Sequence, residues 1–266
     1  MRQLVVSVSP DEAELAADAL WGLGVVAVEE RAADDGSLEL WTSLGEDEGD
    51  VDLPWPWRFV EVDAAVADTW RQFATTIEVE SDLFIQPAWV PLAGTLASDR
   101  AATVLVIEPG STFGMGDHPT TRLTLAAARR LVRPGCAVLD VGCGSGVLAI
   151  GAMMFGAGRA VGIDIAPAAV PVTLANAAAN AVEVEVGTTP LEEVRGTFHV
   201  VLANILAPAL VALAPHLRRV LAPGGHLVIS GILADRHHHV LEALQPLTVE
   251  RTDTLDGWAA VTLRAA

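Results

Sequence analysis

The sequence contains no lysine; all 16 of its Lys and Arg positions are arginine. Nothing in the sequence gives that absence a function. Against those 16 stand 34 Asp and Glu, for a net charge of −18. An acidic body repels phosphate backbones, so the shortage of positive charge argues against direct nucleic-acid binding. Cysteine is scarcer still. Cys136 and Cys143 form neither a disulfide framework nor a metal-ligand pattern, which suits a reducing compartment. The chain does not open on a basic segment followed by an apolar one. No charge-free apolar run reaches membrane length. The stretch Cys136–Ala157 comes nearest, but Asp140 and the Gly residues before Phe155 interrupt it. The expectation is a soluble, cytoplasmic protein with no membrane partner.

What is present is apolar. Hydrophobic residues make up 52% of the 266 positions and charged residues 19%, enough to bury a sizeable core and unlike a disordered chain. The charge has an address. Residues 1–100 hold 21 acids and five Arg, whereas residues 101–266 hold 13 acids and 11 Arg. A basic protein partner fits the N-terminal third, although acidity of this kind also simply maintains solubility.

Leu4–Val8, Val25–Glu29 and Leu38–Thr42 read as strands. Between the first two, Pro10 and Asp11 start a helical pattern with Leu15, Ala19 and Leu20 on one face. Residues 45–57 are acidic and carry two Pro, as a linker or exposed loop would. A helix containing Trp70 is expected next, then strands Leu83–Val90 and Thr103–Ile107. Domain boundaries are therefore expected as 1–55 for a small acidic α/β unit, 56–100 for a linker region and 101–266 for the main domain.

From residue 120 onward, helices and strands alternate. The helices are Thr121–Leu131, Val147–Phe155, Ala168–Asn180, Pro208–Val220 and Arg236–Leu244. The strands are Ala137–Val141, Ala160–Ile163, Val182–Val186, His199–Ala203 and His226–Ser230, with a terminal hairpin at Asp256-Gly257. This alternation predicts an α/β fold with a Rossmann-like, doubly wound parallel sheet.

The strongest chemical signal is Val138–Gly146, VLDVGCGSG. An apolar strand runs into Gly142, Gly144 and Gly146, and a helix follows. Glycine lets a ligand approach the backbone, and the helix start offers free N–H groups to an anion. Asp164, at the end of the next strand in VGIDIAP, can accept hydrogen bonds from both hydroxyls of a ribose. As a good capping residue it can also cap the helix that follows.

Asp140–Gly146 followed by Asp164 resembles the class I S-adenosylmethionine-dependent methyltransferases, with Gly at every second position instead of the G-x-G-x-x-G of dinucleotide folds. Three further segments, IEPGSTFGMGDHPTT (Ile107–Thr121), LANIL (Leu202–Leu206) and SGIL (Ser230–Leu233), are similar to the protein methyltransferase A family, bacterial enzymes acting on ribosomal protein L11. The resemblance is strong over residues 100–266 and weaker in front. It implies a seven-stranded class I catalytic domain, a small N-terminal substrate-recognition domain, S-adenosylmethionine as cofactor, and basic ribosomal protein L11 as the partner methylated on Lys side chains and its α-amine. The N-I-L of Asn204–Leu206, in place of N-P-P-Y, argues by resemblance against the nucleobase and glutamine methylating groups.

Carried onto this sequence, the resemblance implies that Phe113, Gly114 and Thr121 border the methionine end of the cofactor. Asp140, Gly142 and Gly144 belong to its Gly-rich turn, Asp164 takes the ribose, and Asn204 faces the transferring methyl, with the backbone near Ile205 completing the amine site. Met115 departs from the family's usual Thr. His118 either orients the cofactor, accepts the amine proton, or holds the Gly-rich loop by hydrogen bonds; the last role needs no perturbed pKa.

Other conspicuous residues read as structural. His237, His238 and His239 would point about 100° apart on a helix and cannot share one metal ion. Cys143 reads as a small packing residue. Trp55 and Trp57, flanked by Pro, read as hinge contacts.

Overall fold

The computed structural model describes residues 2–23, 25, 28–33, 35–42, 44, 51–61, 74–91, 102–108 and 116–265. The chain divides into two compact units, Met1–Ala74 and Thr75–Ala266. The expected helix around Trp70 lies outside the described residues.

In the first unit, β1 (Arg2–Val8), β2 (Val28–Ala32), β3 (Leu38–Thr42) and β4 (Trp57–Glu61) form an antiparallel sheet in the order β2-β3-β1-β4. Leu4, Val6 and Val8 alternate along β1 and meet Leu40 and the helix α1 (Ala13–Gly22) in a small core. The buried helix face is Ala13, Ala16 and Leu20; Leu15 is 64% exposed. Leu15 stands off the three-and-four spacing that joins those three residues.

The second unit holds two sheets. A small one has β5 (Ile77–Glu80) antiparallel to β6 (Leu83–Pro87), which runs parallel to β7 (Thr103–Ile107). The large one contains β8 (Ala137–Val141), β9 (Arg159–Ile163), β10 (Glu185–Gly187), β11 (Phe198–Asn204), β12 (Leu221–Leu233), β13 (Thr248–Leu255) and β14 (Trp258–Arg264). Its order is β10-β9-β8-β11-β12-β14-β13, with all strands running one way except β14, which is antiparallel to both β12 and β13. The helices are α2 (Pro119–Leu131), α3 (Val147–Met154), α4 (Ala169–Ala179), α5 (Ala207–Arg219) and α6 (His238–Ala243). Helices α2, α3 and α4 share one apolar core with the small sheet. Helices α5 and α6 cover the other face. A parallel sheet is stable only when buried on both sides, and the burial of Val138–Val141 in β8 and Val200–Ala203 in β11 reflects that.

The predicted α/β architecture and the alternating elements are present, but the boundaries move. Residues 57–61, expected within a linker region, pair with β1 in the first sheet. Residues 77–87 form a hairpin whose second strand runs alongside β7, so they belong with the second unit. Trp55 donates from Nε1 to Glu12 at 3.3 Å, and Trp57 meets the Phe59 ring edge-on, so both side chains have partners inside the first unit. The edge strand β10 covers Glu185–Gly187, against an expected Val182–Val186, and β12 begins five residues earlier than expected at Leu221. Pro171 falls in the first turn of α4, where its missing N–H costs nothing.

The chain passes from β8 outward through β9 and β10, then returns to β11 on the other side of β8. The carboxyl ends of β8 and β11 therefore flank the point where winding reverses, and such a crevice is where open α/β sheets bind ligands.

Candidate active site

Three chain segments meet at that crevice. The first leaves β8. Gly142 and Cys143 both donate their backbone N–H to Ile163 O, at 2.8 and 3.1 Å, which ties the turn to the end of β9. Gly142 has φ +75°, and a Cβ there would lie 2.5 Å from Ile205 Cγ2, so only glycine fits this turn without moving Ile205. Burial pushes the Cys143 thiol up, as Asp140 does to a lesser degree, so it is an inert packing group.

Two carboxylates bracket the turn. Asp164 Oδ2 accepts from Gly144 N at 2.8 Å and Oδ1 from Ala166 N at 2.9 Å. The second bond is a local turn, not a helix cap: α4 begins after Ala168, which carries no side-chain cap. The next residue, Ile165, is 92% exposed. Asp140, by contrast, is fully buried. Its Oδ2 accepts from Ala149 N at 3.1 Å, and among the described residues its Oδ1 has no hydrogen-bond partner. Desolvation pushes its pKa up to about 7; the Ala149 N–H works against this and the Asp164 charge adds to it.

The third is the end of β11, which meets the start of α2. Asn204 ends β11 and donates from Nδ2 to Thr121 Oγ1 at 3.4 Å. Thr121 is buried in the first turn of α2. That helix starts at Pro119 and is capped by His118, whose Nδ1 accepts from Thr120 N at 3.3 Å and lies 2.7 Å from Thr120 Oγ1. The His118 ring meets Trp258 of β14 edge-on, with centroids 4.8 Å apart. Burial lowers the His118 pKa, and Asp117 only partly offsets this, which favours the neutral ring.

The structure thus brings together Asn204, Thr121, Asp140, Gly142, Gly144 and Asp164, with His118 capping the helix that carries Thr121. Phe113, Gly114 and Met115 lie outside the described residues. His237 precedes α6 and its Nδ1 donates to Leu233 O at 2.9 Å. Among the described residues no group of His, Cys, Asp and Glu is arranged to hold a metal.

One organising residue escapes a reading of the sequence. Asn176, buried on α4, donates from Nδ2 to Glu108 O (2.8 Å) and Ser145 O (2.9 Å), and its Oδ1 accepts from Glu108 N at 2.9 Å. One turn on, Asn180 bonds both backbone groups of Val106. This pair fastens the exit of β7 to the Gly-rich turn. Its signal is the spacing of two Asn four apart in an otherwise apolar ANAAAN.

Residues 60–266 match the family model described as ribosomal protein L11 methyltransferase. The chain belongs to that family. A relative from Geobacter sulfurreducens named ribosomal protein L11 methyltransferase is 46% identical over 194 residues, 73% of this chain and 63% of the relative. The match thus spans less than two thirds of that relative. One of the same name from Thiobacillus denitrificans is 37% identical over 97% of this chain and 96% of its own length. Among solved structures, a ribosomal protein L11 methylase from Lactobacillus delbrueckii subsp. bulgaricus superposes with a TM-score of 0.66 at 28% identity, covering 73% of this chain and all of that one. The seven-stranded sheet is the class I methyltransferase fold that the resemblance implied.

Proposed function

We propose that this chain is an S-adenosylmethionine-dependent protein N-methyltransferase acting on amines of ribosomal protein L11, both Lys side chains and the N-terminal α-amine. The observation that carries the proposal is the convergence of Asp140, Asp164 and the Asn204–Thr121 pair at the winding reversal. The crevice fits the cofactor. Asp140 has a buried carboxylate oxygen without a partner among the described residues, which suits the cofactor's ammonium. Asp164 is held by two backbone N–H groups, and each of its oxygens keeps a second lone pair for a ribose hydroxyl. Ile165 offers an exposed apolar surface beside it for a flat base. Phe113 and Gly114 complete the cofactor-binding set in this reading.

When bound, the cofactor supplies a methyl group on a sulfonium centre, whose leaving group is a neutral thioether that needs no acid. The chain's own task is to present an unprotonated nitrogen. Lys and α-amines have pKa values of about 10.4 and about 7.7–8.0, so a proton must first be lost. Asn204 is no base. Its Nδ2 is directed to Thr121, and its Oδ1 accepts an amine N–H and aims the lone pair. His118 has Nδ1 engaged at the helix start, which supports a holding role over proton transfer. Water takes the proton.

The acidic N-terminal unit suits a basic ribosomal protein. Nucleic acid and membrane are not expected partners. Among the described residues no helix is long and apolar enough to cross a membrane, and a cytoplasmic location is part of the proposal. The test is incubation with S-adenosylmethionine and ribosomal protein L11, read by intact mass. Gains in whole methylene steps support the reading. Cofactor binding without mass gain leaves the fold assignment standing and redirects the search to another protein or small molecule. Absence of both favours a non-catalytic module holding a basic partner.

A further inference from the structure

The geometry points to Gly231 as a positioning residue for methyl transfer, acting by holding the Ile205 peptide beside Asn204; this inference rests on the function proposed above. Strand β12 carries an irregularity at this point. Its pairing with β14 shifts between Ile229 and Ile232, while Ser230 stays opposite Asn204 of β11. Ser230 is fully buried, and its Oγ donates to Ala259 O at 2.7 Å, which pins the irregular segment to β14. Gly231 then takes φ +83°. A Cβ at this position would lie 2.4 Å from Ile205 O, 2.8 Å from Ile205 C and 3.2 Å from Ile205 N. The obstacle is backbone, so no rotamer change can relieve it.

Ile205 is thus gripped on two sides. Its side chain lies against the bare Cα of Gly142 and its peptide against that of Gly231. The first contact belongs to the cofactor turn. The second belongs to the SGIL segment, which the cofactor-binding residues leave without a role. Asn204 immediately precedes the gripped peptide, so the side-chain and backbone acceptors that aim the amine share one support. Any side chain at 231 displaces that support without meeting Asp140 or Asp164 among its nearest neighbours.

The experiment compares Gly231→Ala with Gly196→Ala. Gly196 has φ +85°, and among the described residues a Cβ there would meet nothing within 4 Å, so its substitution carries the left-handed strain without the collision. Gly231→Ala is expected to lower kcat about 100-fold, as a misplacement of about 1 Å can. Its cofactor Kd by calorimetry should stay within about threefold and KM should change little, whereas Gly196→Ala should keep wild-type kcat. If Gly231→Ala does not fold, Ser230→Ala replaces it, with kcat expected to fall at least about fivefold at constant cofactor Kd. Wild-type kcat in Gly231→Ala, or in Ser230→Ala where it stands in, overturns the inference. So does a kcat loss matched by Gly196→Ala, or one accompanied by equal loss of cofactor affinity. Wild-type protein that binds cofactor but methylates nothing overturns the functional reading and takes this inference with it, a result distinct from an active wild type with an active Gly231→Ala.

Discussion

The two units carry similar surface ion pairs, Arg159 with Glu185 in the second among them, but differ in the polar groups they bury. In the first, ionised groups stay at the surface and pair with one another along and across strands: Arg31 with Glu29, and Arg58 with Glu39, the two Arg flanking the Trp41 ring. Such exposed pairs contribute little stability. In the second unit, the polar groups that matter are buried at the ends of strands and on the helices beside them, bonded mostly to backbone: Asp140, Asn176, Ser230 and Thr121. The first arrangement suits a face that meets many geometries of a charged partner. The second suits atoms that must be held to fractions of an ångström.

Asn204→Ala tests that contrast most severely. It should cut turnover about 100-fold or more while cofactor affinity stays within a few-fold. Equal turnover in the variant removes Asn204 from the reaction. Asp140→Asn sharpens the comparison from the cofactor side. Replacing the buried carboxylate should weaken S-adenosylmethionine binding about tenfold or more, by calorimetry, because charged hydrogen bonds are worth about 1.5–3 kcal/mol.

The same acid makes a pH prediction. Its folded pKa of about 7 is raised above the ordinary carboxylate value, so the folded chain holds this proton more tightly than the unfolded one. The stability it contributes is present below the unfolded value and is lost as pH rises to about 7. Melting of the ligand-free protein should therefore decline over that range by this contribution, and Asp140→Asn should remove the decline. Cofactor affinity should move oppositely, rising as Asp140 ionises.

A smaller effect is expected at Asn176→Ala. It leaves the Glu108 and Ser145 backbone groups without the partners they have now and should destabilise the second unit by about 1–3 kcal/mol, read by denaturant melts. The smallest belongs to the first unit. Neutralising Glu29 and Glu30, exposed on β2, should weaken substrate binding by no more than a few-fold, with a shallower salt dependence. Salt-independent affinity of the wild type would remove the electrostatic half of the comparison.

This division also governs what could be read from the sequence. The ends of β8 and β9 were legible because Gly and Asp interrupt apolar runs at fixed spacing. Asn204 was legible only through LANIL. Asn176 was not, since an Asn among Ala residues looks like solvent-facing helix until Glu108 is seen against it. The start of β12 was hidden by Leu221-Ala-Pro-Gly-Gly, which reads as a turn but lies in the strand. Near residue 57, two Pro and two Trp masked the entry to β4, whose place is decided by pairing with β1 and not by local propensity.

The adjacency of β8 and β11 has a consequence for how this architecture can change. Val141 lies opposite Ala203, so Gly142 and Asn204 leave the sheet from the same rung of one ladder. In the proposed reading, the separation between what holds the methyl donor and what aims the acceptor is therefore measured out by backbone hydrogen bonds. One inserted residue advances a strand by about 3.3 Å, as much as the whole span between reacting atoms, and turns its side chain to the opposite face. Deletions and insertions are free to accumulate in the loops, where they alter what is admitted, but the ladder works as a ruler with no tolerance for a lost or added mark.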